Sequence, residues 1–191
     1  MLEFNAYLNN IDRDFVKNVC INKGTLVQYK RNEYFSQIGD TSSYIGYIMK
    51  GAFRYTCINL REKKEYSSCF AFDNEFVTDY PACLYKMQSE VTIQAIATSE
   101  IYICEARELQ LQYEQNVETL QKARINAEQM LFQIYSKYLD MYRKTPEERY
   151  EELLKRCPQI LQILTLKEIA SYLKVTPTTM SNIRRKITFR G

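Results

Sequence analysis

The chain reads as an α+β protein: an N-terminal antiparallel β jelly roll, one long helix, and a small helical domain behind it. Three observations predict this. Short β-branched and aromatic runs alternate with turn signals between residues 25 and 105. Helical spacing replaces that pattern over residues 106–142. Beyond Thr145, capping residues and apolar stripes mark several short helices in succession.

A helix over residues 6–23 precedes the strands. Strands are predicted at 25–29, 44–49, 52–59, 65–72, 91–97 and 100–104. They are separated by turns at Gly39-Asp40, Lys50-Gly51, 59–63, Asp73-Asn74 and Thr98-Ser99. Short strands at this spacing favour a sandwich or jelly roll.

The helical stretch that follows has a break near Gln115-Asn116. Beyond it, Leu120, Arg124, Ala127, Leu131, Ile134, Tyr138 and Met141 recur at spacings of four and three, a seam of about three heptads. Such a seam joins two copies of a chain; the other reading packs the helix against its own sheet. Thr145 then caps a helix beginning at Pro146, whose first turn carries Glu147 and Glu148. That helix ends before Pro158, and a shorter one spans 159–164. Residues 141–145 are the hinge.

Residues 165–187, TLKEIASYLKVTPTTMSNIRRKI, have the pattern of a helix-turn-helix. Ile169, Ala170, Tyr172 and Leu173 give the first helix one apolar face. Thr176 can cap the second helix, with Pro177 at its first position, where the missing N–H costs nothing. Met180, Ile183 and Ile187 form that helix's inner side. Its outer side carries Thr178, Thr179, Ser181, Asn182, Arg185 and Lys186, with Arg184 turned partly toward the body. Short hydrogen-bonding groups followed by cations suit base edges and phosphates respectively. An amphipathic hairpin with a merely solvated basic face is the alternative. Charge argues against it: residues 165–191 hold six Lys/Arg and one acid, Glu168. That is +5 in a chain of net charge +3, leaving the remainder at −2.

Other features narrow the possibilities. The 191 residues include no histidine, which removes Ser-His-Asp and Cys-His catalysis, His-ligated haem and His-containing zinc sites. Neither a phosphate-binding P-loop nor a dinucleotide-binding glycine motif occurs, so an enzyme is not expected, nor a cofactor or a metal. The six cysteines (Cys20, Cys57, Cys69, Cys83, Cys104, Cys157) lack any C-x-x-C spacing and read as reduced thiols of a cytoplasmic protein. No run nears the roughly 20 apolar residues that span a bilayer, and the N-terminal stretch lacks the apolar core of a secretory signal.

Taken together, the β-rich segment, the long helix, T-P-E-E-R-Y-x-E-L-L and L-x-x-I-A-x-Y-L-x-V-T-P-x-T-x-S-x-I-R-R-K-I resemble the Crp/Fnr-type bacterial transcription regulators. Gly39-Asp40, Gly51 and F-x-N-E-F at 72–76 extend the likeness into the β-rich part. The resemblance implies a cyclic-nucleotide-binding-like effector domain over residues 1–115, a dimerisation helix over 116–142, and a winged-helix-like DNA-binding domain over 145–191. It implies a homodimer joined through Leu120, Ala127, Leu131, Ile134, Tyr138 and Met141. Double-stranded DNA would be contacted by Thr176, Thr178, Thr179, Ser181, Asn182, Arg184, Arg185 and Lys186. RNA polymerase and a small-molecule effector are implied partners, and no membrane is.

Departures from the family pattern are equally informative. Cyclic-AMP-binding members hold the ribose with a Gly-Glu-Leu turn and the phosphate with an arginine. The corresponding stretches here are Thr78-Asp79-Tyr80 and Ser89-Glu90-Val91. Ser89 stands for the arginine, and Asp79 and Glu90 are acidic, so the pocket is degenerate and its effector is another ligand or none. Thr178 and Asn182 occupy positions where family members often carry Glu and Arg, which shifts the expected base preference. Lys174 takes the place of the usual turn glycine, and few residues follow Ile187 to build a wing. A second functional reading stays open, an effector-binding or interaction module whose helix-turn-helix contacts protein rather than DNA.

Overall fold

The computed structural model describes residues 4–5, 13–80 and 82–190. It opens with α1 (Asp14–Lys23), and the part of the first predicted helix before residue 13 lies outside the described residues, save Phe4 and Asn5 in a turn. Eight strands follow: β1 (Thr25–Tyr29), β2 (Tyr34–Ser36), β3 (Tyr44–Lys50), β4 (Ala52–Asn59), β5 (Lys64–Phe72), β6 (Phe76–Val77), β7 (Thr92–Ala95) and β8 (Ser99–Glu105). A single turn of helix, α2 (Ala82–Tyr85), interrupts them. The strands form two four-stranded sheets in the orders β1-β8-β3-β6 and β2-β7-β4-β5, with every pairing antiparallel. That interleaved order is a jelly roll, as predicted.

Alternation along the strands fills the space between the sheets. Ile48, Val77 and Ile101 of one sheet meet Phe53, Ala71, Ile93 and Ala95 of the other, all buried. Gly51 makes the β3–β4 corner possible: its φ is +129°, and an added Cβ would sit 2.3 Å from that of Ser99. Its N–H donates to Asp73 Oδ1 at 2.6 Å, which ties this corner to the β5–β6 turn. Against the first sheet lies α1, where Val19 and Cys20 join Ile45, Tyr47, Cys104 and Leu109 in a second core. The cysteines scattered in sequence are not all apart in space, since Cys20 and Cys104 lie with sulfurs 3.6 Å apart.

Six helices in the described residues follow α2: α3 (Ala106–Tyr113), α4 (Val117–Arg143), α5 (Pro146–Arg156), α6 (Ile160–Ile163), α7 (Leu166–Leu173) and α8 (Pro177–Arg190). The break at Gln115-Asn116 has a local cause. Asn116 accepts from the Thr119 N–H, Thr119 returns the bond, and α4 restarts on this capping box. The same device opens α5 through Thr145 and Glu148.

At the hinge between α4 and α5, Asp140 is buried beneath two cations. Arg143 Nε lies 2.7 Å and Lys144 Nζ 3.0 Å from its two oxygens, and Lys144 also reaches Glu152 at 2.6 Å. Burial opposes ionisation of Asp140, but the bonds from Lys144 and Arg143 outweigh it and hold its carboxyl below the ordinary value. A depressed acid contributes stability that is fully present above the unfolded value, near 3.9, and is lost as pH falls through the folded value. Asp140→Asn is therefore expected to lower stability by about 1 kcal/mol at neutral pH. The difference should shrink as thermal melts are taken down through pH 4.

The third core joins roll and helices. Phe4, Phe70 and Phe72 on the outer face of the second sheet pack with Tyr150, Leu153, Ile160, Ile169, Leu173 and Met180. Among the described residues, no helix is long and apolar enough to cross a membrane.

Candidate nucleic-acid interface

Local chemistry sets α7 and α8 at a fixed angle. Thr165 caps α7 with Glu168 in a reciprocal box, and the helix stops at Lys174, whose φ of +56° places it in the left-handed region. A lysine there costs roughly 1 kcal/mol relative to glycine, as the sequence led us to expect. Thr176 then starts α8, accepting from the Thr179 N–H at 3.1 Å, with Pro177 next. Ile169, Ala170 and Leu173 are buried against Met180 and Ile183. Tyr172, predicted on the same apolar face, instead turns toward the roll, its ring 5.1 Å from Phe4 and 6.1 Å from Phe70.

The opposite side of α8 is open. Thr176, Thr178, Thr179, Ser181, Asn182, Arg184, Arg185 and Lys186 are all exposed, and they follow one another along the helix and its start. Several have local partners as well, Thr176 and Thr179 in the cap among them. Ser181 donates to the Pro177 carbonyl at 3.0 Å. Lys186 lies 3.4 Å from Glu147 Oε2, a long pair in which the lysine is solvated and the acid largely buried. Arg184 is exposed too, and its charge is near enough to Tyr150 to offset part of the rise that burial gives that hydroxyl's pKa.

The unit bearing α7 and α8 is seated on β5. Ser171 Oγ accepts from the Ser67 N–H at 2.9 Å, and Arg54 of β4 lies 3.9 Å from Glu168. From α4, Lys137 donates to the Ser68 carbonyl at 2.8 Å and stands 4.6 Å above the Tyr172 ring. Sequence reasoning missed these contacts. Serine and lysine at helical surface positions carry no signal of which distant strand they will meet.

On α4, Leu120, Ala127, Leu131, Ile134, Tyr138 and Met141 are all exposed, Leu131 at 68 % and Ile134 at 60 %. The helix does not turn this stripe against its own sheet. Tyr138 and Tyr142 hydrogen bond through their hydroxyls at 3.1 Å beside it, and Arg124 is paired with Glu128 at 2.6 Å.

Within the roll, Ser89 is 2 % exposed, while Glu90 is exposed to solvent. Ser89 Oγ lies 2.5 Å from Asp79 Oδ2 and 2.7 Å from the Val91 carbonyl, so its one proton is committed to neighbours. The Gly39-Asp40 turn clasps the same residue, through Gly39 N–H to the Ser89 carbonyl and Ser89 N–H to the Asp40 carbonyl. Among the described residues, no Lys or Arg bonds to Asp79, Ser89 or Glu90.

No protein-family model matches the chain, and no curated protein matches it by sequence. Solved structures do. FixK2 from Bradyrhizobium japonicum is 16 % identical with a TM-score of 0.72, over 88 % of this chain and 86 % of that one. A transcriptional regulator of the Crp/Fnr family from Eubacterium rectale is 15 % identical with a TM-score of 0.67, over 95 % and 85 %. The c-di-GMP-responsive global regulator CLP from Xanthomonas campestris is 12 % identical with a TM-score of 0.67, over 94 % and 93 %. At these identities the likeness is one of architecture, and it runs from roll through long helix to helix-turn-helix: the chain has the Crp/Fnr fold.

Proposed function

We propose that the protein is a homodimeric, sequence-specific DNA-binding transcription regulator of the Crp/Fnr type, with a roll pocket that no longer suits cyclic nucleotides. The observation that carries this reading is the outer face of α8. Eight residues of hydrogen-bonding or cationic character are exposed together on one side, over a helix whose opposite side is buried. A recognition helix in the major groove needs that division. The exposed stripe on α4 supports pairing of two chains, which would present two such helices to half-sites one helical turn apart. RNA polymerase is the further partner under this reading.

DNA binding is tested with sequences selected from a random pool, titrated across salt concentration. Phosphate contacts release counterions, so affinity is expected to fall steeply and log-linearly with salt. A flat salt response would favour the reading in which the helix-turn-helix contacts protein.

Cyclic AMP and cyclic GMP are expected not to bind. A cyclic phosphate taken out of water needs a paired cation or several aligned donors. Here the matching position is a serine engaged with Asp79. Calorimetry at millimolar nucleotide checks this, and a saturable signal below about 10 μM, roughly 7 kcal/mol, would overturn it.

A further inference from the structure

A cleft of about 260 Å³ lies between β5, the end of α4, α5 and the turn after α7. It is distant in sequence and chemistry from the Ser89 site in the roll. Lys137, Arg149 and Lys174 line it together with Arg156, which is already engaged, and two acids, Asp140 and Glu152. Both acids are already neutralised from outside the lining, Asp140 by Arg143 and Lys144, and Glu152 by Lys144.

Among the described residues, two of the lining cations, Lys137 and Arg149, have only neutral hydrogen-bond or ring partners. Lys137 meets the Ser68 carbonyl and the Tyr172 ring. Arg149 donates from Nη2 to the Leu173 carbonyl at 3.2 Å, while its Nε is buried with no hydrogen-bond partner among the described residues. Lys174 reaches the same cleft from a left-handed position that glycine would occupy more cheaply. Cations that converge without matching acids repel one another, and an anion among them removes that repulsion and completes charge-assisted hydrogen bonds.

We propose that this cleft binds a small polyanion, a phosphate-bearing or polycarboxylate molecule, that bridges the roll, α4 and the helix-turn-helix unit. Its volume falls just below the roughly 300 Å³ at which pockets for larger organic ligands begin, so the occupant is compact. Bound there, it contacts Lys137 on one side and Arg149 and Lys174 on the other. It thereby strengthens the seat of the DNA-facing unit on β5.

The test uses the full chain without DNA, so its outcome is independent of whether the protein binds DNA. Pyrophosphate and citrate are titrated separately by calorimetry in low-chloride buffer. At least one is expected to bind saturably, one per chain, and to raise the melting temperature by mass action. Which probe binds decides between the phosphate and carboxylate classes. Lys137→Gln and Arg149→Gln are each expected to weaken binding about tenfold or more, ~1.4 kcal/mol, whereas Arg185→Ala on the exposed face of α8 leaves it unchanged. If Arg149→Gln melts early, Lys137→Gln decides alone. Absence of saturable binding by both probes overturns the proposal. So does binding that survives Lys137→Gln but is lost in Arg185→Ala, which would place the anion on the α8 face.

Discussion

Aspartate at both Leu131 and Ile134 is expected to leave a folded chain that no longer dimerises. Both side chains are exposed in the single chain, at 68 % and 60 %. Changing them removes no contact from the three cores, so the variant should still fold and unfold cooperatively, losing chiefly the stability that association adds by mass action. In a two-fold seam the same positions face their own copies. Two protomers would then bury four unpaired carboxylates, at a cost of several kcal/mol each unless they protonate or the seam opens. Opening is the cheaper outcome. Arg124 already stands in this stripe, paired with Glu128 on its own helix, and a single polar place of that kind fixes register at some cost in strength. The seam therefore has little affinity to spare. Sedimentation velocity at micromolar concentration should show the native protein at twice the chain mass and the double variant at once. A native protein that sediments as a monomer would sink the seam reading.

What could be read from the sequence was what short-range chemistry controls. The six longer strands emerged because β-branched and aromatic runs were bounded by turn residues. Their partners β2 and β6 did not, because three and two residues carry no periodicity to detect. The start of α4 was placed to within two residues by Asn116, whose side chain makes the cap itself. Strand 91–97 was predicted too long. The strand ends at Ala95 because its partner runs out: β4 begins at Ala52, whose carbonyl accepts from the Ile96 N–H. The outer and inner faces of α8 separated as the spacing of three and four required.

Long-range pairings behaved differently. Nothing near Tyr172 announces that its ring will meet Phe4 and Phe70 rather than the α8 core. Nothing near Ser67 announces Ser171. The degenerate pocket was legible only as a missing arginine. That Ser89 spends its proton on Asp79 and Val91 follows from a loop closure between residues ten apart, which composition does not encode. The cationic cleft is the extreme case, since its lining comes from five elements and the turn after α7.

Truncating the exposed face of α8 is expected to separate base reading from phosphate anchoring. Asn182 and Thr178 are exposed short side chains near the start and middle of the helix, the part that enters the groove first. An asparagine amide can pair in bidentate fashion with an adenine edge, a contact worth about 1–3 kcal/mol. Because a dimer uses the helix twice, Asn182→Ala should cost roughly 2–6 kcal/mol on the preferred site if the half-sites add. The loss on unrelated DNA should be small, so that preference at one or two base pairs per half-site collapses. Thr178→Ala should behave alike with a smaller loss, since a hydroxyl offers one such contact rather than two. Arg185 is a long exposed cation with no acid bound to it in the described residues. Arg185→Ala should therefore weaken every sequence by a similar factor and flatten the salt slope by about one unit per protomer. Lys186 should matter less than Arg185, because its ammonium already lies 3.4 Å from Glu147 and must leave that acid to reach a phosphate. Competition titrations of selected and scrambled duplexes at three salt concentrations separate these outcomes. Equal losses on all sequences for Asn182→Ala, Thr178→Ala and Arg185→Ala would show that α8 grips the backbone without reading bases.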